Sequence, residues 1–394
     1  MRSRLLDNAP LLRLAVSMIL GIIIANSIPL PIPVFPVLCV MVAVALLLWK
    51  FENLQSLAVL LCFLFMGMFL MQRQLSMPDK SQTASKLERS KTYFAGQREK
   101  LLERFTDNGI SGDAYAVVAA MSLGDKSALS RDVKDTYSVS GASHVLALSG
   151  LHLGIIYMLF SFFLPRRRWP ALSQLVIILM VWAFVFLVGM SVSVVRSAVM
   201  LTVYGLLSIG HRDKMSVNAL CFTAIAMLMW NPSWLFDVGF QMSFMAVLAI
   251  LLFVPLFDDV FSAEYLMEHR CLRWMWGMVA VSCSAQLGVA PLIAFYFGRF
   301  STYFLLTNFI VVPAAFIVLW LSLLTLVFPP LAYLLYNIVQ LLNAALGWIA
   351  SLPGASIDGL HPSAVQASLV YLLILCVYLL IERIRPIMGW RASR

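Results

Sequence analysis

The chain has 394 residues, of which 61% are hydrophobic and only 12% charged, with a formal net charge of +9. A soluble domain carries about 25% charged residues, so a soluble enzyme, a disordered chain and a collagen-like rod are excluded. A mean hydropathy of +0.90 points instead to one integral membrane body.

A bilayer core of ~30 Å needs about 20 apolar residues per helix. Apolar runs lie at residues 11–28, 34–49 and 54–72, and then at 144–164, 170–188, 190–209, 216–230 and 235–257. Four more follow at 272–297, 302–328, 331–351 and 363–381, and these leave room for broken or re-entrant helices. The expected fold is therefore all-α, a polytopic bundle of about twelve transmembrane helices. Pro29, Pro31, Pro33 and Pro36 read as a tight turn between the first two spans. The first run is read as a span and not a signal peptide, because no small-residue cleavage site follows it. In outline, residues 1–72 form an N-terminal three-helix region, 73–112 a polar helical segment, 113–382 the main transmembrane domain and 383–394 a basic tail.

Short loops rich in Lys and Arg face the cytoplasm. Placing Arg2, Arg4, Arg13 and Lys50 inside also places there Arg166–Arg168, Arg212, Lys214, Arg270, Arg273 and the arginines of the tail, while the opposite short loops hold only Arg299. Both termini are thus expected to be cytoplasmic. Residues 73–142 then lie on the outer face. Leu87, Phe94, Leu101 and Leu102 among mixed charges predict a helix. A second, apolar helix too short to span runs from Asp113 to Leu123 and stops at Gly124-Asp125-Lys126, and Leu129-Ser130-Arg131 opens a third. These read as interfacial helices against the outer leaflet. The six cysteines (Cys39, Cys62, Cys221, Cys271, Cys283, Cys376) form no CxxC or zinc-spaced cluster, and read as small core residues. No metal and no cofactor are expected.

Function is carried by polar positions inside greasy helices, where such groups are costly and usually face a bundle interior or an aqueous path. The densest is SVSGASHVLALSGLHLG, residues 138–154. On one continuous helix His144, Leu148 and His152 would share a face, Ser149 would precede His152 by one turn, and Gly150 and Gly154 would form a small-residue contact stripe. Hydrogen bonding of the histidines to neighbouring helices is the alternative. In GMSVSVVRS, Gly189, Ser193 and Ser197 recur every four residues, and Arg196 is expected ~10 Å into its span at ~1.5 Å per residue. Its charge needs a partner such as Asp237, or an anionic permeant. Asn231-Pro232-Ser233 can start a helix on which Gln241 follows Asp237 by one turn. Gln286 precedes Pro291, and Arg299 follows the aromatic run Phe295-Tyr296-Phe297; Asn308 and Pro313 repeat the polar-then-proline pattern.

In this order, SHVLALSGLHLG, GMSVSVVRSAVM, NPSWLFDVGFQMSFMAV and AQLGVAPLIAFYFGRFSTYFLLTNFIVVP resemble the ComEC family of bacterial competence proteins, over roughly residues 113–353. The resemblance implies an inner-membrane channel passing single-stranded DNA into the cytoplasm during natural transformation. It implies a path lined by His144, Ser149, Gly150, His152, Arg196, Asp237, Gln241, Gln286 and Arg299, with Tyr296, Phe297, Phe300 and Tyr303 available to stack on bases. Long family members carry an OB-fold and a metallo-β-lactamase-like domain; neither is evident in this sequence. The expected chain is therefore not an enzyme. It would work with separate DNA-binding, nuclease and energising proteins, with membrane lipid, and with room for further copies of itself. No GxxxxGK[ST] loop is present for ATP hydrolysis. A transporter of another anionic polymer or solute is the alternative. An intramembrane serine protease built on Ser149 is a remote one, because His152 at i+3 on the same helix is poorly placed as its base.

Overall fold

A computed structural model describes residues 9–28, 33–76, 85–164, 169–209 and 217–384, the side chains of 85–91, 208–209 and 263 excepted. In chain order the first helices are α1 (Pro10–Ser27), α2 (Val34–Leu47), α3 (Glu52–Ser76), α4 (Ser85–Asp107), α5 (Gly112–Leu123) and α6 (Arg131–Val139). They are followed by the single turn α7 (Ser143–Leu146), then α8 (Gly150–Phe163), α9 (Pro170–Leu187), α10 (Val192–Ile209) and α11 (Val217–Trp230). A 3-10 turn at Pro232–Phe236 leads into α12 (Val238–Asp258), α13 (Ala263–Glu268) and α14 (Arg270–Phe297). Strand β1 (Arg299–Ser301), α15 (Phe304–Thr325), α16 (Leu331–Ser351), β2 (Ser356–Asp358) and α17 (Ala364–Ile384) complete the described chain. The described residues are all-α but for one antiparallel ribbon, in which Arg299 pairs with Asp358 and Ser301 with Ser356.

Among the described residues, eight helices are long and apolar enough to cross a membrane: α1, α3, α9, α12, α14, α15, α16 and α17. The other four expected spans form the shorter apolar helices α2, α8, α10 and α11. Three of these have 14 residues, ~21 Å at ~1.5 Å per residue, against ~30 Å of hydrocarbon. Arg2, Arg4, Arg166–Arg168, Arg212, Lys214, the arginines beyond 384, and Pro29 and Pro31 of the proline turn lie outside the described residues.

The chain divides into two compact units, residues 1–85 with 213–244, and residues 86–212 with 245–394. In the first, Pro10 opens α1, where its missing N–H costs nothing. Gly21 of α1 sits where a Cβ would overlap the Leu64 carbonyl, and Gly67 of α3 where one would overlap the Met18 carbonyl. The two glycines bring the backbones into direct contact, the small-residue packing that joins helices in lipid. Asn218 of α11 accepts the Leu11 backbone N–H at 3.2 Å, and Gln72 of α3 accepts that of Val34 at 3.0 Å.

In the second unit, one core joins α8, α9 and α10 through Leu153, Ile156, Ile177, Val181, Val194 and Ala198. Tyr157 donates to Gln174 at 3.0 Å and Trp182 to Thr202 at 3.1 Å, two polar ties across the helices of this core. A larger core joins the end of α4, α5, α6, α7, α15 and α16. Ser130 caps α6, accepting the Val133 N–H at 3.2 Å, and Tyr137 donates to Asn343 of α16 at 2.7 Å.

The three helices expected between residues 84 and 139 form, but one placement is corrected. Of the 12 residues of α5, nine are buried, on every side of the helix. A helix lying against a leaflet keeps one polar, wet face, whereas residues 114–123 (AYAVVAAMSL) offer none. It is therefore an element of the core. Gly124, with φ +73°, ends it as expected: its N–H and that of Asp125 close back on Ala120 and Ala119 at 3.2 and 3.1 Å. The cysteines are also corrected. Only Cys221 is buried, Cys62 and Cys283 are half-buried, and Cys39, Cys271 and Cys376 are exposed, all as free thiols.

Candidate functional site

The segment around residue 149 is not one helix. After the turn α7 the chain is extended at Ala147 (ψ 130°) and at Ser149 (φ −123°, ψ 177°), and α8 begins only at Gly150. Ser149 is the N-cap of α8, and His152 occupies the third helical position, where Glu or Gln closes a reciprocal capping box. The Ser149 backbone N–H donates to His152 Nδ1 at 3.3 Å, and Ser149 Oγ lies 3.0 Å from the same nitrogen. An amide N–H can only donate, so Nδ1 is unprotonated and the ring proton sits on Nε2. His152 is 0% exposed, and Nε2 has no hydrogen-bond partner among the described residues. A buried donor left in this state calls for an explanation.

This break overturns the expected shared face of His144, Leu148 and His152. His144 belongs to α7, donating from Nδ1 to the Gly141 carbonyl at 3.1 Å, and its side chain is exposed. The expected glycine stripe is half right: a Cβ on Gly150 would stand 3.1 Å from Ser197 Oγ, while one on Gly154 would meet nothing within 4 Å. Ser149 and His152 also touch after all, because the serine is outside the helix and its side chain folds back along the first turn. Nδ1 is shared there with a backbone N–H, which is the geometry of a cap.

The start of α8 faces the start of α10. Gly189 (φ +88°) and Met190 (φ 53°) turn the chain left-handed before Val192, so Gly189 stands outside the helix and its expected stripe reduces to Ser193 and Ser197. Arg196 is the fifth residue of α10, one turn in, shallower than expected. It is 3% exposed and donates from Nη2 to Ser193 Oγ at 3.2 Å. Ser197 donates to the Ser193 carbonyl at 3.0 Å. One place thus gathers a cap serine, a buried imidazole donor and the first turn of a second helix that carries a buried guanidinium.

Gln286 lies elsewhere in this unit, half-buried on α14. Next to it Gly288 is pressed onto α12, where a Cβ would overlap the Met245 carbonyl and stand 2.7 Å from Ala249 Cβ. Tyr371 of α17 donates to the Gly288 carbonyl at 2.7 Å, one turn before Pro291 interrupts the helix ladder. Asp237 and Gln241 belong to the other unit. Asp237 is the cap of α12, accepting the Phe240 N–H at 2.8 Å, and Gln241 donates to the Leu235 carbonyl at 3.0 Å.

Arg299 has a structural assignment. Its guanidinium meets Asp135 of α6 at 2.8 Å and Asp358 of β2 at 2.6 Å. Thr307 donates to the Ser140 carbonyl at 2.6 Å, and Thr302 to that of Gly354 at 2.6 Å, so the loops after α6, α14 and α16 are tied together at one end of the unit. Thr307, Tyr371 and Tyr137 carry no local motif, and the partner of each is 167, 83 and 206 residues away in the chain. The hydrogen bond that Arg299 donates to Asp135, with the one it donates to Asp358, raises the Arg299 pKa above its ordinary value against the opposing effect of burial. The guanidinium therefore keeps its charge beyond the usual arginine range, and its contribution to the tie is lost only as pH rises through the raised value. Arg299→Met should speed amide exchange at residues 299–301 and 356–358, while the amides of α15 and α16 keep their protection.

Comparison with known proteins adds identity to this geometry. The family described as "Competence protein" matches residues 121–384. ComE operon protein 3 of Bacillus subtilis (strain 168) is 29% identical over 237 residues, 59% of this chain and 28% of that protein. An uncharacterized protein of Aquifex aeolicus is 31% identical over 198 residues, 50% of this chain and 44% of that protein. Competence protein ComA of Neisseria gonorrhoeae is 28% identical over 155 residues, 37% of this chain and 22% of that protein. The chain spans less than half the length of each of these relatives. No solved structure matches it.

Proposed function

We propose, from the premise that this chain belongs to the ComEC family of competence proteins, that it is the membrane subunit through which one DNA strand enters the cytoplasm. The observation that carries this reading is the buried Nε2–H of His152, a donor at the start of α8 with no acceptor among the described residues. A phosphodiester oxygen is an acceptor of the kind this donor lacks, and helix N-termini favour anionic groups. Arg196 would add positive charge near the same turn, and Ser149 holds the imidazole in the donating tautomer.

The chain sits in the cytoplasmic membrane with both termini inside, the arrangement favoured by the basic loops. Twelve crossings satisfy that arrangement if α2, α8, α10 and α11 cross with help from their flanking segments. DNA capture, strand degradation and energy come from other proteins. Cells lacking this chain and any second homologue should fail to bring single-stranded label from double-stranded DNA into the cytoplasm, and the wild-type chain should restore it. Unchanged uptake in the deletion strain would exclude DNA as the cargo, and a transporter for another anionic solute would then be the better reading.

A further inference from the structure

Helix α4 carries charges where a membrane-embedded helix should not. Phe94 stacks on Phe186, at the end of α9, with ring centroids 5.7 Å apart. Asn108, just past the end of α4, donates to the carbonyl of Thr325, the last residue of α15. From 94 to 108 the chain thus descends ~21 Å at ~1.5 Å per residue. Helix α15 is itself one of the long apolar helices, held by Thr307 at its first turn and by Asn108 at its last. The distance between these ties is ~27 Å at the same rise, close to the hydrocarbon thickness.

Leu102 and Phe105 turn inward to the core shared with α5, α15 and α16. Glu99, Lys100, Glu103, Arg104 and Asp107 are exposed on the opposite side. Facing lipid, such a row would be very costly; facing water, it costs nothing.

We infer that α4 and α5 enter the membrane together as a re-entrant hairpin, α5 buried in the protein and the charged face of α4 lining a water-filled path. This rests on the proposed function and names a wall of its path. The five exposed charges nearly cancel, three acidic against two basic, so the wall is wet without gripping a polyanion. Passage needs that balance, since a site that binds tightly does not let its cargo leave.

The test uses the full chain in sealed right-side-out membrane vesicles, with the six native cysteines replaced by alanine. Single cysteines are placed by Glu103→Cys and Asp107→Cys on the charged face, and by Val327→Cys in the loop after α15. Positions 103 and 107 are exposed, so both substitutions leave the packing intact, and each variant is confirmed in the membrane first. A membrane-impermeant maleimide, which reacts with the hydrated thiolate, is added outside. Expected is complete labelling at 103 and 107, with none at 327 until the vesicles are opened. Unlabelled 103 and 107 would overturn the inference, as would labelling of 327 in sealed vesicles, which would put the hairpin outside the membrane. Labelling reads water and not cargo, so a wet α4 together with unchanged DNA uptake would keep the path and reject only the DNA reading.

Discussion

His152→Glu should leave the chain folded and in the membrane while single-strand uptake falls at least about tenfold, a change worth ~1.4 kcal/mol. The pair of substitutions Gln and Glu separates the two jobs of this residue. Either one at the third helical position can accept the Ser149 N–H and close the capping box, but only Gln keeps an N–H donor, so Gln should keep uptake and Glu should preserve the structural half alone. His152→Ala removes that acceptor and strands a partly buried N–H, which costs about 1–3 kcal/mol of stability, so lower thermal stability is expected as well as lost uptake. A purely structural histidine would give a different result: Glu, like Gln, would restore uptake along with stability. Uptake per membrane-inserted chain, with the thermal midpoint of each variant in detergent, distinguishes the two.

Gly288→Val should cause the largest loss of folded chain. The side chain would have to occupy space already held by the Met245 carbonyl and by Ala249 Cβ on α12. Neither is the far end of a flexible side chain, so α12 and α14 must move apart. Overpacking of this kind costs typically 1–3 kcal/mol, occasionally more, a large part of the ~5–15 kcal/mol by which native proteins are stable. The move would also strain the Tyr371 hydrogen bond to the Gly288 carbonyl. Gly288→Ala should act in the same direction and more weakly. Gly347→Ala, on α16 where a Cβ meets nothing within 4 Å, should be neutral or stabilising by about 0.5–1 kcal/mol. Membrane abundance and thermal midpoint are the readouts; a Gly288→Val chain as stable as wild type would contradict the packing.

The class of the fold and nearly every helix were legible from apolar periodicity, because a membrane body writes its helices as long greasy runs. Gly124 and Ser130 marked helix ends correctly because the chemistry of those ends is local. What failed was of two kinds. The reading of residues 144–164 as one helix missed the break at Ala147–Ser149, since every residue there tolerates a helix and the extended conformation is chosen by the cap and by packing against α10. The placement of α5 failed because an apolar face shows that a helix is covered without showing what covers it. Arg299 was legible as a charge but not as a tie, since Asp135 and Asp358 are 164 and 59 residues away in sequence. His152 was picked out correctly as unusual, yet its tautomer and its unmatched nitrogen emerge only from the geometry of the first turn of α8.

The claim that a DNA strand passes the start of α8 is tested most directly by catching the strand there. A photoactivatable amino acid at position 144, whose side chain is exposed on α7, the turn just before α8, would be compared with one at Leu369, on the outward surface of α17. Labelled DNA would be arrested in mid-uptake and the cells irradiated. The account predicts strand–protein adducts from position 144 and none from position 369. Adducts absent from position 144 in cells that are actively taking up DNA would contradict it.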